Sequence, residues 1–170
     1  MREKHKEMAM KPLKHATLVS VMAAALCQPA FPATLTGGNL EVVVAADAAP
    51  AVWFAAEEMT NLLSVVLGAP IPVRQSPSAS GTSIFLGDSE WSRAAGIDVA
   101  SLVRDAFVIK ADGSRIYIAG RDDPEKDPRK LVLAGGWGSV LYERATSFGV
   151  YEFLERFAGV RFYSPGSLAR

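Results

Sequence analysis

NLEVVVAADAAPAVWFAAEEMTNLLSVVLG, residues 39–68, changes its period in mid-course, and that change decides the fold class. Asn39 to Ala46 is a short run rich in β-branched side chains and reads as a strand. From there the apolar residues fall at Val52, Ala55, Ala56, Met59, Leu62, Leu63 and Val66, the spacing of one helical face. Asp47 followed by Pro50 reads as the start of that helix, with Asp47 capping free amides, and Gly68 with Pro70 reads as its stop. A strand therefore hands over directly to an amphipathic helix.

Downstream the same alternation continues in shorter pieces. Ile71-Pro72-Val73 is extended, Gln75 to Gly81 is a surface loop by composition, and Thr82 to Leu86 is a second clear strand. A short helix is predicted over Glu90 to Ala95. Ala106 to Ala111 and Arg115 to Ala119 alternate on either side of Asp112-Gly113-Ser114, the strongest hairpin signal in the chain, because glycine supplies the positive backbone angle of a tight turn. Arg121 to Arg129 is a charged loop broken by prolines. A second helix is predicted near Thr146 to Ala158, with Gly149, Val150, Phe153, Leu154 and Phe157 on one face. Gly159 ends it, and Val160 to Tyr163 reads as a last strand. Two long amphipathic helices, about five short strands and one hairpin predict an α+β domain: a mixed sheet with both helices packed on one face. There is no internal repeat.

Upstream lies a segment of different character. Lys11 and Lys14 precede eleven uncharged residues from Thr17 to Cys27, and small residues and prolines follow to Ala33. This is the layout of a secretory signal over residues 1–33, and it implies a secreted or periplasmic protein. The apolar part would form a helix of roughly 16 Å, far short of a hydrocarbon core about 30 Å thick, so no membrane span is expected. Cys27 keeps a lipoprotein alternative open, although Leu26 stands before it where such signals usually carry Gly or Ala.

The 170 residues hold 18 basic and 18 acidic side chains. Taking away the five basic and two acidic groups of residues 1–33 leaves 13 and 16 in residues 34–170, a net charge of about −3. No basic stripe remains to neutralise a row of phosphates, which argues against a nucleic-acid partner. His5, His15 and Cys27 are the chain's only histidines and cysteine, and all three precede residue 34. A Ser-His-Asp triad, a Cys-His pair and a His- or Cys-based metal site are therefore excluded from residues 34–170. No metal or other cofactor is expected.

Carboxylates remain as possible acids and bases. Asp122-Asp123 sits in the proline-broken loop with no evident means of being held at a fixed separation. Glu152 and Glu155 flank the apolar stripe of the second helix, as a solvated helix edge does. Gly135-Gly136-Trp137-Gly138 lacks the Gly-Lys-Ser/Thr ending of a phosphate loop and reads as a flexible turn. Trp53 reads as support for its helix, Trp91 is ambiguous, and Trp137 is the candidate for carbohydrate contact, since pyranose faces pack on aromatic rings. Arg144 and Arg161 read as surface or salt-bridge residues. No catalytic residue is assigned.

Taken in order, Val42-Val43-Val44, the Ala55-Ala56-Glu57-Glu58-Met59 helix ending at Gly68-Ala69-Pro70-Ile71-Pro72-Val73, Ile84-Phe85-Leu86-Gly87 and, most specifically, ERATSFGVYEFLERFAGVRFYSPG at residues 143–166 form a known pattern. It resembles the N-terminal accessory domain that precedes the catalytic barrel in β-N-acetylhexosaminidases and α-glucuronidases. The version in uncharacterised secreted bacterial glycosidase-like proteins is closest. The resemblance covers nearly all of Asn39 to Gly166. It implies a zincin-like sheet-and-helix arrangement without zinc residues, and a non-catalytic domain beside a (β/α)₈ barrel that supplies the catalytic carboxylates.

Such relatives carry an acidic residue after Pro-Gly, where this chain has Ser167-Leu168-Ala169-Arg170, so a truncated frame is expected. Residues 34–170 are then an accessory domain in carbohydrate degradation, partnered by a C-terminal barrel. The alternative is a stand-alone glycan-binding module using Trp137, and a third reading is a small hydrolase using carboxylates alone. A sheet with helices on one face only is further expected to expose its second face and to be sticky without a partner.

Overall fold

The computed structural model describes residues 35, 37–134 and 141–162. The leader, Cys27, the Gly135–Gly138 stretch with Trp137, and residues 163–166 of the motif lie outside the described residues. Among the described residues, five strands form one mixed sheet in the order β2-β1-β3-β5-β4. They are β1 (Leu40–Val44), β2 (Val73–Arg74), β3 (Thr82–Leu86), β4 (Phe107–Asp112) and β5 (Arg115–Gly120). β1 runs parallel to β2 and β3, β3 runs parallel to β5, and only β4 is antiparallel, to β5. The hairpin closes through Gly113-Ser114, with Gly113 at φ 58° in the first central position, the place that a type II′ turn reserves for glycine.

Helix α1 (Pro50–Leu67) follows β1 as the periodicity predicts, and Gly68 ends it in the left-handed conformation. Its start differs from expectation. Pro50 occupies the first helical position, where its missing N–H is no loss, and Ala49 stands at the cap. Asp47 lies two residues too early and caps nothing there. Helix α4 (Ala145–Phe157) matches the second predicted helix to within a residue. Between them are α2 (Glu90–Ala94), closed by a reciprocal Ser89–Ser92 capping box, and α3 (Pro128–Ala134), which begins inside the stretch read as a charged loop and runs past its end.

Alternation along the strands sorts their side chains to two faces. Leu40, Val42, Val44, Ile84, Leu86, Ile116 and Ile118 meet Val52, Ala56, Met59 and Leu63 of α1 and Val150, Phe153 and Leu154 of α4 in the main core. Burying each of the larger side chains contributes about 1.5–3 kcal/mol before the entropy of ordering is set against it. α1 and α4 pack on each other as well as on this face. The two-helix layer is thus as expected.

The opposite face is not open. Val43, Phe85, Tyr117 and Ala119 are covered by Trp91, Ala95, Ile97 and Val99 from the segment after β3, with Phe85 stacked on Tyr117 at 5.0 Å. Glu41 also points to this side and is buried, and Ser78 N–H, Ser78 Oγ and Ser83 Oγ donate to it at 2.7, 2.7 and 2.8 Å, with Arg74 Nε at 3.0 Å. Burial alone would raise its pKa. The Ser78 and Ser83 hydrogen bonds and Arg74 outweigh that and hold it below the usual value. Residues 75–81, which carry the chain from β2 past β1 to β3, are pinned by this carboxylate where they pass over β1. The chain thus covers the apolar end of its second face with one segment and the polar end with another.

The last predicted strand does not form over Val160–Phe162. Gly159 turns the chain at φ 72° and the Val160 amide returns to the Leu154 carbonyl at 3.1 Å, a glycine stop that keeps the chain on the helix side. Phe162 then packs edge-on against Tyr151 instead of reaching the sheet.

Two glycines set how closely α4 sits. A Cβ at Gly120 would stand 2.5 Å from Ala145 Cβ and 2.9 Å from the Ala106 carbonyl oxygen, and one at Gly149 would stand 2.6 Å from Ile118 Cγ2. Gly120→Ala is therefore expected to lower the unfolding free energy by about 1–3 kcal/mol through overpacking, read from urea unfolding midpoints. A midpoint equal to that of the unaltered chain would contradict the close seating of α4 on β5.

Candidate functional site at the carboxyl edge of the sheet

Parallel strands deliver their loops to a common edge. β1 continues into Asp47-Ala48-Ala49, β3 into Asp88, and β5 into Arg121 and Asp122. β1 and β3 are neighbours, yet the helix that follows β1 packs on one face and the helix that follows β3 packs on the other. The chain therefore parts between them and leaves a crevice at the carboxyl ends, the place where open α/β sheets bind ligands. A cleft of about 340 Å³ lies there, lined by Asp47, Asp88, Arg93, Arg121, Asp122 and Glu143 with small apolar residues between them.

Most of the charged groups in it hold one another. Arg93 Nε donates to Asp88 Oδ1 at 3.0 Å, and Arg121 pairs with Glu143 at 3.1 Å. Asp122 is committed to α4: its Oδ1 accepts the Thr146 N–H at 3.1 Å and its Oδ2 accepts the Thr146 hydroxyl at 2.5 Å. Thr146 Oγ1 in turn accepts the Gly120 N–H at 3.1 Å. Arg144, at the cap position of α4, makes no side-chain cap bond, so a carboxylate from another segment satisfies one of the free amides at this helix end. Two further backbone bonds, Asp123 N–H to the Glu143 carbonyl and Ala145 N–H to the Arg121 carbonyl, complete the joint.

This corrects the sequence reading of Asp122-Asp123 as a loop with nothing to hold it. Asp123 is held too, its Oδ1 accepting the Glu125 and Lys126 N–H groups at 3.0 and 3.1 Å. Burial pushes the Asp122 carboxyl up to about 6, and neighbouring Glu143 adds to the rise, against the lowering effect of the Thr146 hydrogen bonds. One signal in the sequence could have pointed to it: α4 begins at Arg144-Ala145 with no Ser, Thr, Asp or Asn at its cap, so its amides need an acceptor from elsewhere.

Of the other singled-out residues, Trp53 is half-buried against the main core and Trp91 is tilted on Phe85 at 5.5 Å. Glu152 pairs with Arg156 along the outside of α4. Arg144 lies over the Tyr142 and Phe148 rings at 5.0 and 5.4 Å, and Arg161 donates to the Glu155 carbonyl at 2.8 Å. Trp137, the carbohydrate candidate, is outside the described residues. Among the described residues no group of three or more His, Cys, Asp or Glu side chains is arranged to hold a metal ion, and no helix is long and apolar enough to cross a membrane.

No family model and no curated protein matches the chain. Among solved structures it is similar to a novel family GH115 4-O-methyl-α-glucuronidase, with specificity for decorated arabinogalactans, at 21% identity and a TM-score of 0.49 over 75% of this chain. It is also similar to a GH138 enzyme targeting pectin rhamnogalacturonan II, at 16% identity and a TM-score of 0.37 over 68% of this chain. The chain spans 14% and 13% of the length of these two enzymes.

The raised Asp122 carboxyl carries a stability consequence with a definite sign. Between about pH 4 and 6 the folded chain keeps a proton that the unfolded chain has released, so this group's contribution to stability falls as pH rises through that window. Asp122→Asn, which mimics the protonated form, is expected to gain on the unaltered chain by about 1–3 kcal/mol on going from pH 4 to pH 7. Parallel thermal melts at the two pH values check it. A difference between the two proteins that does not change with pH would refute the burial of this carboxyl.

Proposed function

We propose that the chain is a non-catalytic accessory domain of an exported protein that degrades carbohydrate, in the manner of the N-terminal domains of hexosaminidases and α-glucuronidases, and that it packs beside a catalytic barrel. One observation carries this reading. The motif on which the resemblance chiefly rests is spent, over its described part, on architecture. Glu143 pairs with Arg121, Thr146 takes Asp122, Gly149 admits Ile118, and Val150, Phe153 and Leu154 fill the main core. Residues that define a scaffold rather than a reaction centre are what an accessory domain has in common with its relatives. The engagement of Asp88, Asp122 and Glu143 by groups of the chain itself points the same way, since an acid and a base of a glycosidase need free access to a glycosidic bond.

The reading includes export through residues 1–33. A reporter enzyme that is active only outside the cytoplasm, fused behind those residues, is expected to become active, and silence of the fusion would remove the export part. The full chain is expected to show no turnover of aryl glucuronides or aryl N-acetylglucosaminides. Turnover that Asp122→Asn abolishes would replace the proposal with a carboxylate hydrolase. Saturable binding of oligosaccharides that Trp137→Ala abolishes would replace it with a glycan-binding module.

A further inference from the structure

The outer side of the α1–α4 pair carries rings and carboxylates, and the chain already seats two of its own arginines on rings, one of them with a carboxylate as well. Arg129 lies over the Phe54 ring at 5.4 Å and pairs with Glu57, so that one ring and one carboxylate of α1 hold a single guanidinium. Arg144 lies over Tyr142 and Phe148. One residue along α1 from Glu57 the same materials recur. An open pocket of about 430 Å³ is lined by Glu58 of α1, Tyr151 and Glu155 of α4, and Phe162. The Tyr151 and Phe162 rings meet edge-on at 5.1 Å and 79°, and Phe162 is 45% exposed.

In this third place the charge is not answered. Among the described residues neither Glu58 nor Glu155 joins an ion pair. Of the nearby cations, Arg156 pairs with Glu152 at 3.3 Å, Arg161 donates to the carbonyls of Glu155 and Val160 at 2.8 and 3.0 Å, and Arg144, seated over Tyr142 and Phe148, acts on the Tyr151 hydroxyl by its charge alone. The hydrogen bond at Glu58 comes from the Tyr151 hydroxyl at 3.4 Å, and burial together with the Glu58 charge pushes that hydroxyl above its usual pKa. The pocket thus brings two aromatic rings together with two glutamates.

We propose that this pocket receives an arginine side chain of a partner protein. The methylene stem would lie along the Tyr151 and Phe162 rings and the planar guanidinium would reach the two carboxylates, as Arg129 does with Phe54 and Glu57. Arginine fits better than lysine because its flat fork both stacks on rings and bonds carboxylates in pairs. The assignment concerns the chemistry of the partner's anchor and stands apart from the function proposed above: a partner of any activity could carry it.

The test uses the full chain and two short peptides, Ac-Gly-Arg-Gly-NH₂ and the same peptide with neutral citrulline in place of arginine, titrated at low ionic strength while the ring resonances of Tyr151 and Phe162 are followed. The arginine peptide is expected to shift them saturably. The citrulline peptide, the paired substitution Glu58→Gln with Glu155→Gln, and Phe162→Ala should each weaken binding by about two- to fivefold, the scale of one exposed cation–π contact. Phe162→Ala alters a ring already half in solvent, so it serves if the double variant fails to fold. Shifts that do not saturate, or that citrulline reproduces, overturn the proposal, the latter in favour of a neutral ligand. Self-association of the unaltered chain that Glu58→Gln with Glu155→Gln dissolves would put a second copy in the pocket and overturn it as well.

Discussion

The joint between the end of β5 and the start of α4 is the constraint on which the rest of the domain depends. Helix α4 has no capping residue of its own and reaches the sheet over two glycines, so its position is set by other segments. Asp122 takes its Thr146 amide and hydroxyl, Gly120 gives its N–H to the same hydroxyl, and the absence of a side chain at Gly120 lets Ala145 come within contact of the strand. Once α4 is fixed there, its Val150, Phe153 and Leu154 complete the core that α1 begins. The cleft at the carboxyl edge is a by-product of the same joint, because the loops that make the clamp also form its wall.

How much of this could be read beforehand depended on the range of the interaction. β1, α1, β3, the hairpin and α4 were legible because each announces itself within a few residues: Val42-Val43-Val44, the stripe through Val52 and Met59, Asp112-Gly113-Ser114, the face of Val150 and Phe153. Helix α3 has a local signal too, since Asp127-Pro128 is a helix start and Asp127 Oδ1 accepts the Arg129 N–H at 3.0 Å. The role of Asp122 depends on a partner 24 residues away, so its sign in the sequence lies not around Asp122 but in the missing cap residue of α4. The strand expected from Val160 has the right residues, but over Val160–Phe162 the chain stays on the helix side, with Val160 against the main core and Phe162 against Tyr151.

The covering of the second face changes what the domain offers to a partner. Periodicity sees two long helices and one sheet and leaves a face bare. It does not see that Trp91, Ile97 and Val99, spread over a segment of weak pattern, fold back onto Phe85 and Tyr117, or that Glu41 draws Ser78 over the polar end. With that face covered, a surface that the described residues leave open is the helical one, where Glu58 of α1 and Tyr151 and Glu155 of α4 line a pocket with Phe162.

The passage of residues 75–81 across β1 also bears on the order in which the sheet assembles. β4 and β5 are joined by two residues, whereas aligning β1 with β3 closes a loop of some forty, an additional chain-entropy cost of about 2–3 kcal/mol at equal stiffness. Contacts between distant parts of a chain slow folding for this reason. The Glu41–Ser78–Ser83 cluster ties the two strands to each other and to the last residues of that long loop, so it acts as a latch that helps hold the least local pairing of the sheet once it has formed.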